Sequence, residues 1–91
     1  MKTINLRISG RVQGVWYRAW TRENALELGL SGWVRNRQDG TVEALVSGQP
    51  ASVDALVAKC WAGPTAAHVE NIVITESDED VPAGFIQEPT L

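Results

Sequence analysis

The apolar positions of this chain change period in a regular order. Ile4, Leu6 and Ile8 alternate with Asn5, Arg7 and Ser9, which is the pattern of a half-buried strand, and the alternation stops at Gly10. After a loop over residues 10–15, Tyr17, Thr21, Ala25 and Leu28 recur at helical spacing, while Arg22, Glu23 and Glu27 fall on other faces. Gly29 supplies a residue able to turn left-handed after the last turn, with Leu30 placed to fold back on the helix. Trp33 and Val34 open a second extended segment, and Asp39-Gly40 marks a hairpin turn into the alternating Val42, Ala44 and Val46. Pro50 suits the first position of a second helix, whose stripe Val53, Leu56, Val57, Cys60 and Trp61 ends at Gly63-Pro64. A last long strand is expected near residues 69–75. An acidic surface loop containing Pro82 follows, and a short edge strand is expected over residues 84–87.

The order is βαββαβ with a short extra strand. Two right-handed halves of this kind close into a four-stranded antiparallel sheet with both helices on one face, a ferredoxin-like α+β two-layer sandwich. A chain of 91 residues has room for one core, so residues 1–91 are expected to form a single domain.

Composition narrows the function classes. Apolar residues at 44% and charged residues at 21% fit a globular protein and exclude a disordered tail. The alternating start has neither a signal-peptide core nor a membrane anchor, so no membrane partner is expected. One cysteine, Cys60, and one histidine, His68, provide no internal disulfide and no zinc site, and a reducing cytoplasmic setting is the default. The net charge of −3 speaks against nucleic acid as the main partner, but it conceals an asymmetry. Seven cations oppose two carboxylates over residues 1–37, whereas Lys59 alone opposes nine from Gln38 onward. This points to an anion site in the amino-terminal part, although charge blocks also mark ordinary solvated surface.

Gly10, Arg11, Val12, Gln13, Gly14 and Val15 lie between a strand end and a helix start, where free N–H groups and the positive end of the helix dipole converge. The glycines permit a tight turn and a close approach to a ligand, and Arg18 follows in the first helical turn. A cation there opposes the helix dipole, and a bound anion removes the conflict. The same residues also suit a plain strand-to-helix connection with Arg18 in solvent. Asn36 shares a strand face with Val34, so if Val34 faces the helices, the Asn36 carboxamide points inward and can orient a water beside the loop. An Asn bonded to backbone before the Asp39-Gly40 turn is the plainer reading of that residue.

The absences matter as much. No Gly-x4-Gly-Lys-Ser/Thr loop is present, Cys60 continues an apolar stripe far from the loop, and His68 has no Ser or Asp arranged with it. A catalyst built from backbone amides, one Arg, one Asn and water can position and stabilise, but it offers no strong acid to a poor leaving group. A mixed carboxylic–phosphoric anhydride expels a carboxylate, which needs little protonation.

The stretch Ile8-Ser9-Gly10-Arg11-Val12-Gln13-Gly14-Val15-Trp16-Tyr17-Arg18 resembles the first signature of the acylphosphatase family. Gly32-Trp33-Val34-Arg35-Asn36-Arg37-Gln38-Asp39-Gly40-Thr41-Val42, with Gly48, resembles the second. The likeness covers nearly the whole chain. It implies that Arg18 holds a phosphate together with N–H groups of Gly10, Arg11, Val12, Gln13, Gly14, Val15, Trp16 and Tyr17, while Asn36 orients the attacking water. It also implies hydrolysis of a small-molecule acyl phosphate to a carboxylate and inorganic phosphate, with no metal, no cofactor and no phosphoenzyme, and a loop that inorganic phosphate or sulfate can occupy. Tyr17 stands where the family usually has Phe or Met, so a hydroxyl must be satisfied if it is buried. The end of the chain lacks the family's basic or aromatic finish, which bears on edge-strand pairing more than on catalysis. Trp33, Trp61 and Trp20 are expected to pack in the core or at its rim, and Trp16 to stand at the mouth of the site beside the acyl group. Of the early cations, Arg7, Arg11, Arg22, Arg35 and Arg37 are expected to supply only a diffuse field.

Two other readings use the same fold. One is a module that binds an anion or a partner without turnover. The other is an RNA-binding sheet, opposed by the acidic carboxyl-terminal half and the lack of an aromatic strand motif. Nothing in the sequence requires more than a monomer.

Overall fold

A computed structural model describes all 91 residues. The elements follow in the order β1 (Lys2–Arg11), α1 (Tyr17–Glu27), β2 (Ser31–Asn36), β3 (Val42–Gly48), α2 (Pro50–Ala62), β4 (His68–Glu76) and β5 (Phe85–Gln87). The sheet runs β4-β1-β3-β2-β5. β1 lies antiparallel to β3 and β4, and β2 antiparallel to β3, which is the expected four-stranded α+β arrangement. The fifth strand corrects the fully antiparallel expectation, because β5 pairs in parallel with β2, Gly32 opposite Phe85, and makes the sheet mixed. Its direction follows from where β4 stops. Glu76 lies opposite Ile4, at the end of the sheet where β2 also begins, so a chain that crosses that end and climbs the β2 edge must run alongside β2.

The carboxyl ends of β1, β2 and β5, the start of α1 and the end of α2 all meet at the other end of the sheet.

Between sheet and helices, Ile4, Leu6 and Ile8 of β1 and Val42, Ala44 and Val46 of β3 meet Tyr17, Thr21 and Ala25 of α1 and Val53, Leu56 and Cys60 of α2. Each large apolar side chain closed off in this way contributes roughly 1.5–3 kcal/mol. The stripe on α2 ends earlier than expected, since Trp61 stays 47% exposed.

The opposite face of the sheet carries a half-buried charge cluster around one buried carboxylate. Glu43 on β3 accepts from Asn5 Nδ2 at 3.0 Å, Arg35 Nε at 3.1 Å and Arg37 Nη1 at 3.2 Å, with Arg7 Nη2 at 3.7 Å. Arg35 also stacks over the Trp33 ring, 4.3 Å from its centroid. Arg7, Arg35 and Arg37 therefore do not act as a diffuse field; cross-strand pairing holds them against one carboxylate.

Burial alone would raise the Glu43 carboxyl, but the bonds from Asn5 and Arg35 and the nearby guanidinium charges outweigh it and hold the group below its usual value. Its stabilising contribution is therefore complete above the unfolded carboxyl value of about 4.3 and disappears as pH falls through the lower folded value. Glu43→Gln is expected to cost about 2 kcal/mol at pH 7. Thermal melts of both proteins from pH 7 to pH 3 check this: the gap should narrow below about pH 4, and a gap that ignores acid would deny the cluster this role.

Candidate active site

The loop after β1 is shaped by a bulge. The pairing register between β1 and β4 shifts at Ser9/Gly10, and Gly10 sits at φ 120°, where a Cβ would collide with the His68 carbonyl. β1 continues through Gly10 and Arg11, which pair with Val69 and His68, so these two expected loop residues lie in the strand and do not line the cleft. Val12 is buried and anchors the loop to the core. Gln13 turns its side chain away, its Nε2 donating to the carbonyls of Arg37 at 2.7 Å and Thr41 at 2.8 Å, and so ties the loop to the β2–β3 turn. Gly14 takes φ 73°, and nothing lies near the position of its missing Cβ; the residue is there for its conformation.

Trp16 closes the loop with φ 73°, a left-handed conformation that costs a non-glycine residue roughly 1–2 kcal/mol. It caps α1 without a side-chain hydrogen bond, and no acidic residue occupies the first turn. The helix ladder begins with Trp20 N–H donating to the Trp16 carbonyl at 3.0 Å, so the N–H groups of residues 13–19 find no carbonyl within the protein. Free donors and the positive end of the helix dipole thus converge where the sequence suggests an anion.

Over this loop opens a cleft of about 440 Å³, lined by Val12, Gly14, Trp16, Tyr17, Arg18, Ala19, Asn36 and Gln87. Arg18 donates from Nη1 to the Glu88 carbonyl at 3.3 Å and meets no carboxylate, unlike Lys2, Arg7, Arg35 and Arg37. Its charge is left for a ligand. Asn36, at the end of β2, brings a carboxamide with no hydrogen-bond partner in the protein. The turn after Asn36 is held instead by Asp39, whose Oδ1 accepts from Thr41 N–H at 3.0 Å and from the Thr41 hydroxyl. Those two bonds hold the Asp39 carboxyl below its usual value.

Tyr17 lines the cleft at its base, and its buried side chain serves packing together with Cys60. The buried Tyr17 hydroxyl donates to the Cys60 carbonyl, linking the start of α1 to the last turn of α2. Burial, followed by the neighbouring Cys60, pushes the Tyr17 phenol far above its ordinary range, and burial pushes the Cys60 thiol up to about 11. Neither group offers a proton or a nucleophile near neutral pH. Val15 packs at the edge of the core and faces a neighbouring cleft.

The family model for acylphosphatase matches residues 4–86. The chain belongs to the acylphosphatase family. An acylphosphatase of Rhodospirillum rubrum is 54% identical to it over the full length of both chains. Another, of Rhizorhabdus wittichii, is 48% identical over 94% of this chain and 87% of its own. Among solved structures, an acylphosphatase from Coxiella burnetii superposes with a TM-score of 0.91 at 36% identity, covering 96% of this chain and 92% of that one. One from Bacillus subtilis gives 0.89 at 32%, covering 97% and 99%.

In this member of the acylphosphatase family, the two signature stretches meet at one end of the sheet, as the resemblance implies, and a third segment joins them that sequence reasoning missed. Beyond β5 the chain keeps to the β2 edge: Glu88 N–H donates to the Val34 carbonyl at 2.8 Å, Leu91 N–H to Asn36 at 3.1 Å, and Gln38 N–H to Leu91 at 3.3 Å. The end of the chain therefore pairs with the edge and also reaches the cleft, through Gln87 and the carbonyl that receives Arg18. Phe85 and Gln87 on one face of a short strand were the available signal.

Deleting residues 88–91 should lower kcat/KM for an acyl phosphate about tenfold by freeing the Arg18 side chain, with melting only a few degrees lower. Steady-state kinetics on the truncated protein check this. Undiminished turnover would show that the carbonyl does not position Arg18.

Proposed function

We propose that the protein hydrolyses acyl phosphates to a carboxylate and inorganic phosphate. A single observation carries the reading: an uncompensated guanidinium, residues 14 and 16–19 with free N–H groups, and an unpartnered carboxamide line one cleft that holds no carboxylate, imidazole or thiol. The N–H groups of the loop and the Arg18 side chain grip the phosphoryl oxygens and stabilise the charge that builds on them. Asn36 holds a water by its carboxamide oxygen and N–H groups, aimed at phosphorus from the side opposite the leaving oxygen. The expelled carboxylate leaves as a stable anion, so the lack of an available acid costs little. The guanidinium supplies the positive charge that a divalent ion provides in other phosphoryl transfers, and the reaction runs without metal. Residues 1–91 act as one domain and a monomer in the cytoplasm, and inorganic phosphate or sulfate competes for the loop.

The direct test is benzoyl phosphate hydrolysis in the presence of a strong chelator. Phosphate should be released at the same rate with and without chelator. An aryl phosphate monoester, which needs more help at its leaving group, should turn over slower by about three orders of magnitude. Phosphate binding with no turnover would favour a non-catalytic module, and dependence on a divalent ion would sink the mechanism.

A further inference from the structure

Trp16 belongs to two clefts. Besides lining the one above the phosphate loop, it forms a second of about 410 Å³ with Val15, Trp20 and residues 63–66, between the start of α1 and the segment leading from α2 into β4. The sheet order places the two surroundings apart: β4 borders β1 on one side, whereas β2, which carries Asn36, lies beyond β3 on the other. The second cleft and Asn36 therefore flank the β1 loop from opposite sides.

In-line displacement puts the attacking and leaving oxygens on opposite sides of phosphorus. A water held by Asn36 directs the leaving carboxylate, with its carbon skeleton, away from β2 and toward Trp16. The second cleft begins there. Its lining contains no charged side chain, so nothing in it offsets the desolvation of a further carboxylate or phosphate on the acyl group. Trp16 and Trp20 supply its aromatic surface, and Trp20 is held in place. The Trp20 ring rests on Tyr17 with centroids 5.4 Å apart, and Tyr17 is fastened in turn to the Cys60 carbonyl. Trp16 presents its indole 72% exposed from a left-handed backbone; its carbonyl starts the helix ladder, but its side chain makes no hydrogen bond in the protein and takes no part in the core.

We infer that this second cleft is the acyl subsite and that it selects acyl phosphates whose acyl group is flat and apolar, aromatic above all, over short or charged ones. The inference rests on the hydrolysis proposed above and deepens it by naming the substrate class.

Phenacylphosphonate and acetonylphosphonate carry a CH₂ in place of the bridging oxygen and cannot be cleaved there. Their affinities by titration calorimetry compare acyl groups without any effect of leaving-group chemistry. The protein should bind the phenacyl compound about tenfold more tightly than the acetonyl one, as expected for one aromatic ring placed against indole. Trp16→Gly, which accepts the left-handed backbone, and Trp20→Leu should each bring that ratio close to one. Equal affinities in the unmodified protein, or a preference that survives in Trp16→Gly, would overturn the subsite. The exposed Trp16 keeps the test valid even if Trp20→Leu fails to fold. Clear preference without benzoyl phosphate turnover would sink the hydrolytic reading alone, and turnover without preference would sink only the subsite.

Discussion

Arg18→Ala should yield a folded protein whose kcat/KM for benzoyl phosphate falls by about 10³-fold or more, in line with removing an arginine that neutralises a transferring phosphoryl group. The fold survives because the side chain gives the protein only a bond to the Glu88 carbonyl, and the helix start loses a cation that opposes its dipole. Competitive inhibition by inorganic phosphate should weaken in parallel, since the guanidinium also serves the ground state. Arg18→Lys should recover little, because an ammonium is a point charge and cannot match two phosphoryl oxygens with a planar fork. Circular dichroism melts alongside kinetics separate loss of function from loss of fold. A fully active Arg18→Ala would remove the basis of the mechanism.

Asn36→Ala is expected to act on a different quantity. The carboxamide has no partner in the protein, and its neighbouring backbone carbonyl still receives Leu91 N–H, so stability should hardly move. Turnover should fall by about 10²-fold in kcat, comparable to losing one preorganised polar group. Inhibition by phosphate should be retained, because the anion is held by the loop and Arg18. The contrast between the two variants is diagnostic: one loses binding and turnover together, the other loses turnover. A rise in KM with kcat preserved in Asn36→Ala would make the residue a binding group rather than a guide for water.

The parts of the fold legible in the sequence are those written in side-chain period. The alternation of Ile4, Leu6 and Ile8, the helical recurrence of Tyr17, Thr21 and Ala25, and the stripe Val53, Leu56 and Cys60 each meet the core where the period places them. The candidate site was legible for a related reason: glycines and an arginine interrupt the apolar pattern at a strand-to-helix junction. What stayed hidden depends on backbone or on register. Three residues of β5 carry too little period to reveal a direction, which is decided by the end of the sheet at which β4 finishes. The Glu88 carbonyl is a backbone atom common to every residue type. Glu43 could have been found, since alternation puts Arg7, Arg35 and Glu43 on the uncovered face, but only the register Arg7↔Glu43↔Arg35 shows them to be one cluster.

The parallel course of β5 makes the order of synthesis matter. On a ribosome, the β1 loop, Arg18 and Asn36 all precede the segment that clasps the outer edge of β2, and the cleft stays without one wall until Gln87 and Glu88 emerge. Phe85 of the same strand belongs to the core, so one segment completes both the core and the cleft. Turnover, measured on stalled chains of increasing length, should rise as β5 and the Glu88 carbonyl take their places along β2.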